Sequence, residues 1–486
     1  MTSQRWLTDD DTDRSIWWHF FVVIVPSNYD PSTARNGTLW ITDGKNDHPD
    51  EYPTRTNYNM IVASELAMGT GMVTGCLFQI PNAPIIFSSD PEQKKRSEDS
   101  IIAFTWAHFL DHPDDAEWLV RLPMVKASLR AMDTMTAYAA QSLHIPRLDF
   151  YSVTGASKRG WVTWDVGAVD YKSGRVALIA PIVLDAINFA AVEHHQWKSY
   201  GGWSFLLKDY YEQNITKRYD EPAMTTLQGV EDPYFYADRL TMPKMIVNSG
   251  ADEFQQPDDT HYWWNDMPEP KYFLMMPNTD HSSITGLGQA LPAIGTFIKY
   301  TIAGTQLPSA TWTISNTTGD ITATVTFPAG LNGNGKDEGK AHFPTPTLAN
   351  VTMWVAKTAT KGAASKRRDF RLMNLDDPCE CGKSKDGTCY NIEASKWSVV
   401  TLEPTASTDN TVTYNAHVEA DTTGRWTAFF IDFTFDVMEP IDSQGQLGTW
   451  PYDEPGALDF TTEVSIWPNT FPYDDCVGVD CYGTLL

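Results

Sequence analysis

Basic residues are scarce in this chain. Lys and Arg number 36 against 62 Asp and Glu, a formal net charge of −26. A surface this acidic argues against nucleic acid as a partner, because phosphate backbones are held by clustered cations. It disfavours an anionic membrane face for the same reason. The basic runs Lys94-Lys95-Arg96 and Lys366-Arg367-Arg368 are short and are read as solvated loops. Long apolar runs are also missing. "FFVVIVP" at 20 to 26 has the length of a buried strand, far below a bilayer span. The N-terminal "MTSQRWLTDDDTDR" is polar and acidic, unlike a signal peptide, so a leader is not visible in this chain.

Cysteine is sparse, with six residues, five of them in the last quarter. "PCECGKSKDGTC" hints at a metal knuckle, but it lacks a second clean pair and no histidine lies nearby. Disulfides are the expectation. Cys476 and Cys481 would close a short loop, and two of Cys379, Cys381 and Cys389 would pair. Acceptor sequons stand at Asn36, Asn214, Asn316 and Asn350. Together with the clustered cysteines they point to an extracellular, glycosylated setting, with an intracellular one as the alternative.

Aromatic residues are abundant at 12%, including 18 Trp. The length of 486 residues allows two or three domains. Up to about residue 305, strand-like runs alternate with helical periodicity, which predicts a mostly parallel sheet with helices on both faces. Residues 187–240, rich in Trp and Tyr, are expected to form a cap insertion. Trp197, Trp203, Tyr210 and Tyr211 are its candidate cleft residues for a sugar or peptide. From 306 to 440 the pattern turns to period two with Gly, Asp, Asn and Thr between runs, predicting an antiparallel β-sandwich. Residues 441–486 are expected to be an irregular tail pinned by cysteines.

Active sites of open parallel sheets lie at the carboxyl ends of strands. "YSVTGASKRGWVTW" reads as strand, tight turn, helix, and puts Ser157 on the turn. A nucleophile there stands above the sheet, with the backbone N–H of Lys158 facing a developing oxyanion. The spacing is near G-x-S-x-G, but Arg159 occupies the second glycine position. Asp252 follows the strand "MIVNSG", and Asp185 in "PIVLDAIN" is the alternative acid. Glu253 and Asp258 are acidic neighbours. His281 in "MMPNTDHSS" follows the last strand of this region. The order Ser157, Asp252, His281 is that of α/β-hydrolases. In "LWITDGKND" the N–H of Gly44 or Lys45 is the candidate second oxyanion donor. Adjacent His194 and His195, beside Glu193, suit no common metal-ligand spacing, and no metal or cofactor is expected.

The stretches "GASKRGWVTW", "QIPNAPIIF", "EDSIIAFTWAHFL", "RLPMVKASLRAMDT", "PIVLDAINF", "DPYFYADRL", "SGADEFQQPDD" and "MPNTDHS" resemble the PhoPQ-activated pathogenicity-related family. The resemblance runs from about residue 17 to 300. It implies an α/β-hydrolase fold followed by a β-rich region, with Ser157 as nucleophile, Asp252 as acid and His281 as base. One departure is Asp43, where the family tends toward the first glycine of a pair. Two functions follow as expectations. One is a secreted serine hydrolase acting on a small ester, glycan or peptide. The other is a non-catalytic extracellular signalling or structural glycoprotein that binds a protein partner.

Overall fold

A computed structural model describes residues 1–27, 29, 35–145, 147–328, 343, 345–360, 362–375, 391–392, 395–437 and 457–486. The chain opens with an antiparallel ribbon, β1 (Thr2–Arg5) on β2 (Ile16–Trp18). The run "FFVVIVP", expected as a buried strand, forms β3 (Phe21–Ile24) after a break that follows β2. His19 causes the break: its buried Nδ1 lies 3.1 Å from the carbonyls of Phe78 and Gln79.

Then follow β4 (Asn36–Ile41), α1 (Tyr58–Thr70), β5 (Val73–Leu77), α2 (Asp99–Asp111), α3 (Arg121–Ser142), β6 (Phe150–Ala156), α4 (Lys158–Asp170) and β7 (Val176–Ile182). Residues 187–240 supply α5 (Phe189–Tyr200), α6 (Lys208–Glu212) and α7 (Pro222–Glu231). β8 (Lys244–Ser249), β9 (Lys271–Met276) and α8 (Leu287–Ala303) complete this part. The seven-stranded sheet has the order β3-β5-β4-β6-β7-β8-β9. Only the β3–β5 pair is antiparallel. Its inner strands are buried on both faces, so they read as continuous apolar runs. Val62, Leu66, Ile294 and Phe297 of α1 and α8 cover one face, and Met132, Met135, Val162 and Val166 of α3 and α4 belong to the core on the other. This is the α/β-hydrolase-like arrangement.

After α8 the chain enters antiparallel sheets. β10 (Ser309–Ile314) and β11 (Asp320–Thr326) start a four-stranded sheet, and β12 (Thr347–Lys357) starts a five-stranded one. β13 (Met373–Asn374) and β14 (Asn391–Ile392) form a small separate ribbon. β15 (Ser398–Thr401) joins β12, while β16 (Ala406–Ser407) and β17 (Thr411–His417) complete the first sheet. β18 (Thr427–Asp436) centres the second. Alternating residues Ile321, Ala323 and Val325 of β11 share a buried core with Phe429, Ile431, Phe433 and Phe435 of β18. The stretch after 440, expected to be irregular, contributes β19 (Ala457–Thr461) and β20 (Ser465–Trp467), both paired with β18. Leu458 and Phe460 explain it, since pairing on β18 puts both side chains into the core. Thr461 also reaches back to the α/β sheet: its Oγ1 accepts from Met275 N at 3.1 Å and donates to Phe273 O at 3.4 Å. The outer edge of β9 is thereby covered.

Among the described residues, no helix is long and apolar enough to cross a membrane. Cys476 and Cys481 form a disulfide. Cys379, Cys381 and Cys389 lie outside the described residues. Of the sequon asparagines, Asn214, Asn316 and Asn350 are exposed, whereas Asn36 is partly buried at the start of β4.

Candidate active site

Ser157 sits between the end of β6 and the start of α4, with φ 57° and ψ −128°. A non-glycine residue there is strained, and the surroundings hold it. Ser157 N donates to Ile182 O at 2.9 Å, and Ser157 O accepts from Trp161 N at 3.0 Å. The flanking glycines serve close approach. A Cβ on Gly155 would stand 2.9 Å from Arg159 O and 3.0 Å from Ile41 O, and one on Gly160 would stand 2.8 Å from Ile182 O. The spacing G-A-S-K-R-G thus follows from which helix residue meets the neighbouring strand: it is Gly160. Arg159 is free to keep a long side chain, which is buried. Its Nε donates to Ile80 O at 2.5 Å and its Nη2 to Glu98 Oε1 at 2.6 Å.

His281 lies in the loop between β9 and α8, partly buried. Its Nε2 is 2.8 Å from Ser157 Oγ, and its Nδ1 is 2.8 Å from both oxygens of Asp252. Asp252, just after β8, is 4% exposed. Its Oδ1 also accepts from Phe254 N at 2.7 Å and Gln255 N at 3.2 Å. Burial lowers the proton affinity of the His281 ring, and the Asp252 carboxylate more than offsets it, so the net pKa is raised above 6.5. Asp185 does not touch His281. Its buried carboxylate accepts from Trp263 Nε1 at 2.6 Å, and burial holds its pKa well above the ordinary carboxylate range. The alternative acid is therefore a tryptophan's partner.

Lys158 begins α4, so its backbone N–H is one of the helix's unpaired N-terminal donors beside Ser157. Its side chain turns to Glu98 and Asp99, at 3.2 and 3.0 Å. Gly44 has φ 127°, a backbone that favours glycine, and is packed against Gln79. Lys45 O accepts from Gln79 Nε2 at 3.2 Å. Neither Gly44 nor Lys45 is among the residues lining the serine pocket. The Asp43 carboxylate accepts from Asn59 Nδ2 at 2.8 Å.

The pocket is small, about 60 Å³, with Ser157 and His281 in its wall among Trp106, Trp161, Phe189 and Phe254. Of the cap aromatics singled out in the sequence, only Tyr210 lines it. Trp197 packs on Trp203, whose Nε1 donates to Cys481 O at 2.7 Å, and Tyr211 stacks on Tyr482. These three hold the C-terminal segment against the cap. His194 lies between Asp220 and Asp475, and His195 Nδ1 is 2.6 Å from Asp259 Oδ1 in a buried network with Arg368.

Three contributors, Phe254, Glu98 and Arg121, escape sequence reasoning, and a fourth, Glu253, is read there only as an acidic neighbour. Phe254 packs on the His281 ring at 4.6 Å, and Glu253 Oε2 accepts from His281 N at 3.1 Å. Burial beside Asp252 pushes the Glu253 carboxyl up to about 7. Glu98 fixes the first turn of α4, and Arg121 lines the pocket. Glu98 and Arg121 stand in "EDSIIAFTWAHFL" and "RLPMVKASLRAMDT", but no spacing marks them as site residues.

The sequence model of PhoPQ-activated pathogenicity-related proteins matches residues 1–332. Over 481 residues the chain is 31% identical to autocrine proliferation repressor protein A of Dictyostelium discoideum, covering 98% of this chain and 85% of that one. Similar solved structures include Est1E from Butyrivibrio proteoclasticus, at 12% identity and a TM-score of 0.34, covering 58% of this chain and 94% of that one. Another is an acetyl xylan esterase from Paenibacillus sp. R4, at 13% identity and a TM-score of 0.38, covering 55% and 75%.

Proposed function

The chain belongs to the PhoPQ-activated pathogenicity-related family, and on that footing we propose that it is a serine hydrolase of esters or amides. The observation that carries the reading is the unbroken hydrogen-bond sequence Ser157, His281, Asp252, each link at 2.8 Å. In the acylation step His281 Nε2 takes the hydroxyl proton as Ser157 Oγ bonds to the substrate carbonyl carbon. Asp252 holds the ring in the tautomer with Nδ1 protonated and stabilises the imidazolium. The carbonyl oxygen becomes the oxyanion, facing the N–H of Lys158. Gly44 and Lys45 do not line the pocket, so this reading rests on the Lys158 N–H as its oxyanion donor. The imidazolium returns its proton to the leaving alcohol or amine as the carbon–leaving-group bond breaks. Water then repeats the sequence on the acyl-enzyme and frees Ser157.

A fluorophosphonate probe tests this reading. The folded protein gains one phosphonyl adduct on Ser157 by intact mass, and Ser157→Ala gains none. An unlabelled folded protein, or a variant labelled as well as the parent, removes the reading. The 31% likeness to a protein named as a proliferation repressor favours a second reading, a secreted signalling glycoprotein. The exposed Asn214, Asn316 and Asn350 suit it. Retained signalling by Ser157→Ala would favour this second reading over the first.

A further inference from the structure

Arg121 is the first residue of α3 and is 1% exposed, yet its guanidinium is poorly partnered. Nε reaches Glu231 Oε2 only at 3.5 Å, and Nη1 reaches Lys158 O only at 3.5 Å. Nη2 has no hydrogen-bond partner among the described residues. A buried donor left unmade is costly, and more so on a charged group. Such a group persists where something else completes it.

The location says what that is. The guanidinium carbon lies 3.8 Å over the ring of Trp161, and both residues line the cavity that holds Ser157 and His281; Arg121 also borders a second cavity of about 270 Å³ with Asp165 and Glu231 in its wall. Lys158, whose carbonyl Nη1 approaches, is the next residue after the nucleophile. The cation therefore stands within one helical turn of Ser157.

The surrounding charge is weak in opposition. Asp99 is taken up by Lys158. Glu193, also in the wall, is pushed up to about 8 by burial and is neutral near pH 7. Among the described residues two buried acids act on the guanidinium, Asp165 and Glu231: burial holds the Asp165 carboxyl well above the usual range against the pull of Arg121, and Glu231 Oε2 is already engaged by Trp106 Nε1 at 2.6 Å. Burial raises its pKa as well, against the pull of Arg121. An incoming anion meets a half-compensated cation there.

We propose that Arg121 selects substrates whose acyl group ends in a carboxylate: half-esters or half-amides of short dicarboxylic acids. The carboxylate accepts from Nη2 while the scissile carbonyl lies at Ser157 Oγ. The cavity of about 60 Å³ limits the spacer to a few methylenes. This selectivity rests on the hydrolase reading above, whereas the anion site beside Trp161 does not.

Two substrates test it: mono-4-nitrophenyl glutarate and its neutral methyl ester, 4-nitrophenyl methyl glutarate. The parent protein is expected to prefer the half-ester by roughly 10- to 100-fold in kcat/KM, the range of a charged hydrogen bond. Arg121→Gln abolishes the preference, and Arg121→Lys restores part of it. In parallel, Ser157→Ala is titrated with glutarate while tryptophan fluorescence is followed. Saturable quenching is expected, lost on adding Arg121→Gln.

Equal rates on the two esters overturn the selectivity, as does a preference that survives Arg121→Gln. If neither ester is cleaved but glutarate binding requires Arg121, the hydrolase reading falls and the anion site stands. If neither cleavage nor binding occurs, both fall. Should Arg121→Gln fail to fold, the parent's substrate ratio and Arg121→Lys decide the matter.

Discussion

Replacing Asp252 by Asn tests the site at its most specific point. Asp252 Oδ1 serves two masters: it accepts from the backbone at Phe254 and Gln255, and it meets His281 Nδ1. In Asp252→Asn the side-chain oxygen keeps the two backbone donors, because an amide nitrogen facing them leaves three donors unpaired. The Asn NH₂ then points at His281 Nδ1 and donates to it. That forces the proton onto Nε2, which faces Ser157 Oγ and no longer accepts. The fold loses little, since both backbone bonds survive. The chemistry loses its base. The expected fall in kcat is about four powers of ten, or about 5 kcal/mol of barrier. The pH profile supplies an independent readout. His281 works as the neutral ring, and its pKa is raised, so the parent's activity falls as pH drops through a value above 6.5. Without the carboxylate, burial and Lys158 remain and both lower the pKa, so the acid limb of any residual activity moves down. kcat/KM on a 4-nitrophenyl ester from pH 5 to 9, with a thermal melt alongside, measures both. Activity within tenfold of the parent and an unmoved limb would refute the assignment of Asp252.

Gly155→Ala places a methyl against the backbone at Arg159 and Ile41, a clash neither side relieves by rotation. A loss of about 1–3 kcal/mol is expected in a denaturant titration, with activity falling further as Ser157 shifts. Glu98→Gln removes the counter-charge of Lys158 and Arg159. The Glu98 carboxyl must overcome its burial, and Arg159 and Lys158 hold it down to about 2. A depressed carboxylate stabilises fully above its ordinary 4.5 and loses that as pH falls toward 2, so the variant's melting temperature should depend less on pH over that window. Cys476→Ser paired with Cys481→Ser opens a loop with a sequence separation of 5, worth about 2 kcal/mol by chain entropy. A lowered melting temperature checks it, and an unchanged one means the packing of Cys481 holds the segment by itself.

How much was legible in the sequence depended on how local the cause was. The parallel sheet shows in runs such as "VALIAPIV", because strands buried on both faces need nothing but apolar residues. Ser157, Asp252 and His281 stand out because strand ends collect chemistry in this fold. The reason for Arg159 in the turn was not legible. Its partners, Ile80 and Glu98, are 79 and 61 residues away and share no pattern with it. The same holds for Asp185, whose Trp263 lies 78 residues on. Trp197, Trp203 and Tyr211 had the composition of a cleft, and composition cannot say whether a ring faces a ligand or another segment. β19 and β20 were hidden because two short pairings on an existing strand need only a few alternating residues.

The contact between Trp203 and Cys481 spans 278 residues. Its consequence is one of assembly order. The cap beside the serine pocket is held by a segment synthesised after the whole β-sandwich, with Trp203 N donating to Thr484 O at 2.9 Å. Until that segment docks, α5 and the turns behind it lack their outer wall. The α/β half is thus not a portable module: cut after α8, the same residues would leave residues 187–240 unbraced and β9 with a bare edge. The wall around the serine pocket, on this architecture, is complete only once residues 476–486 have docked.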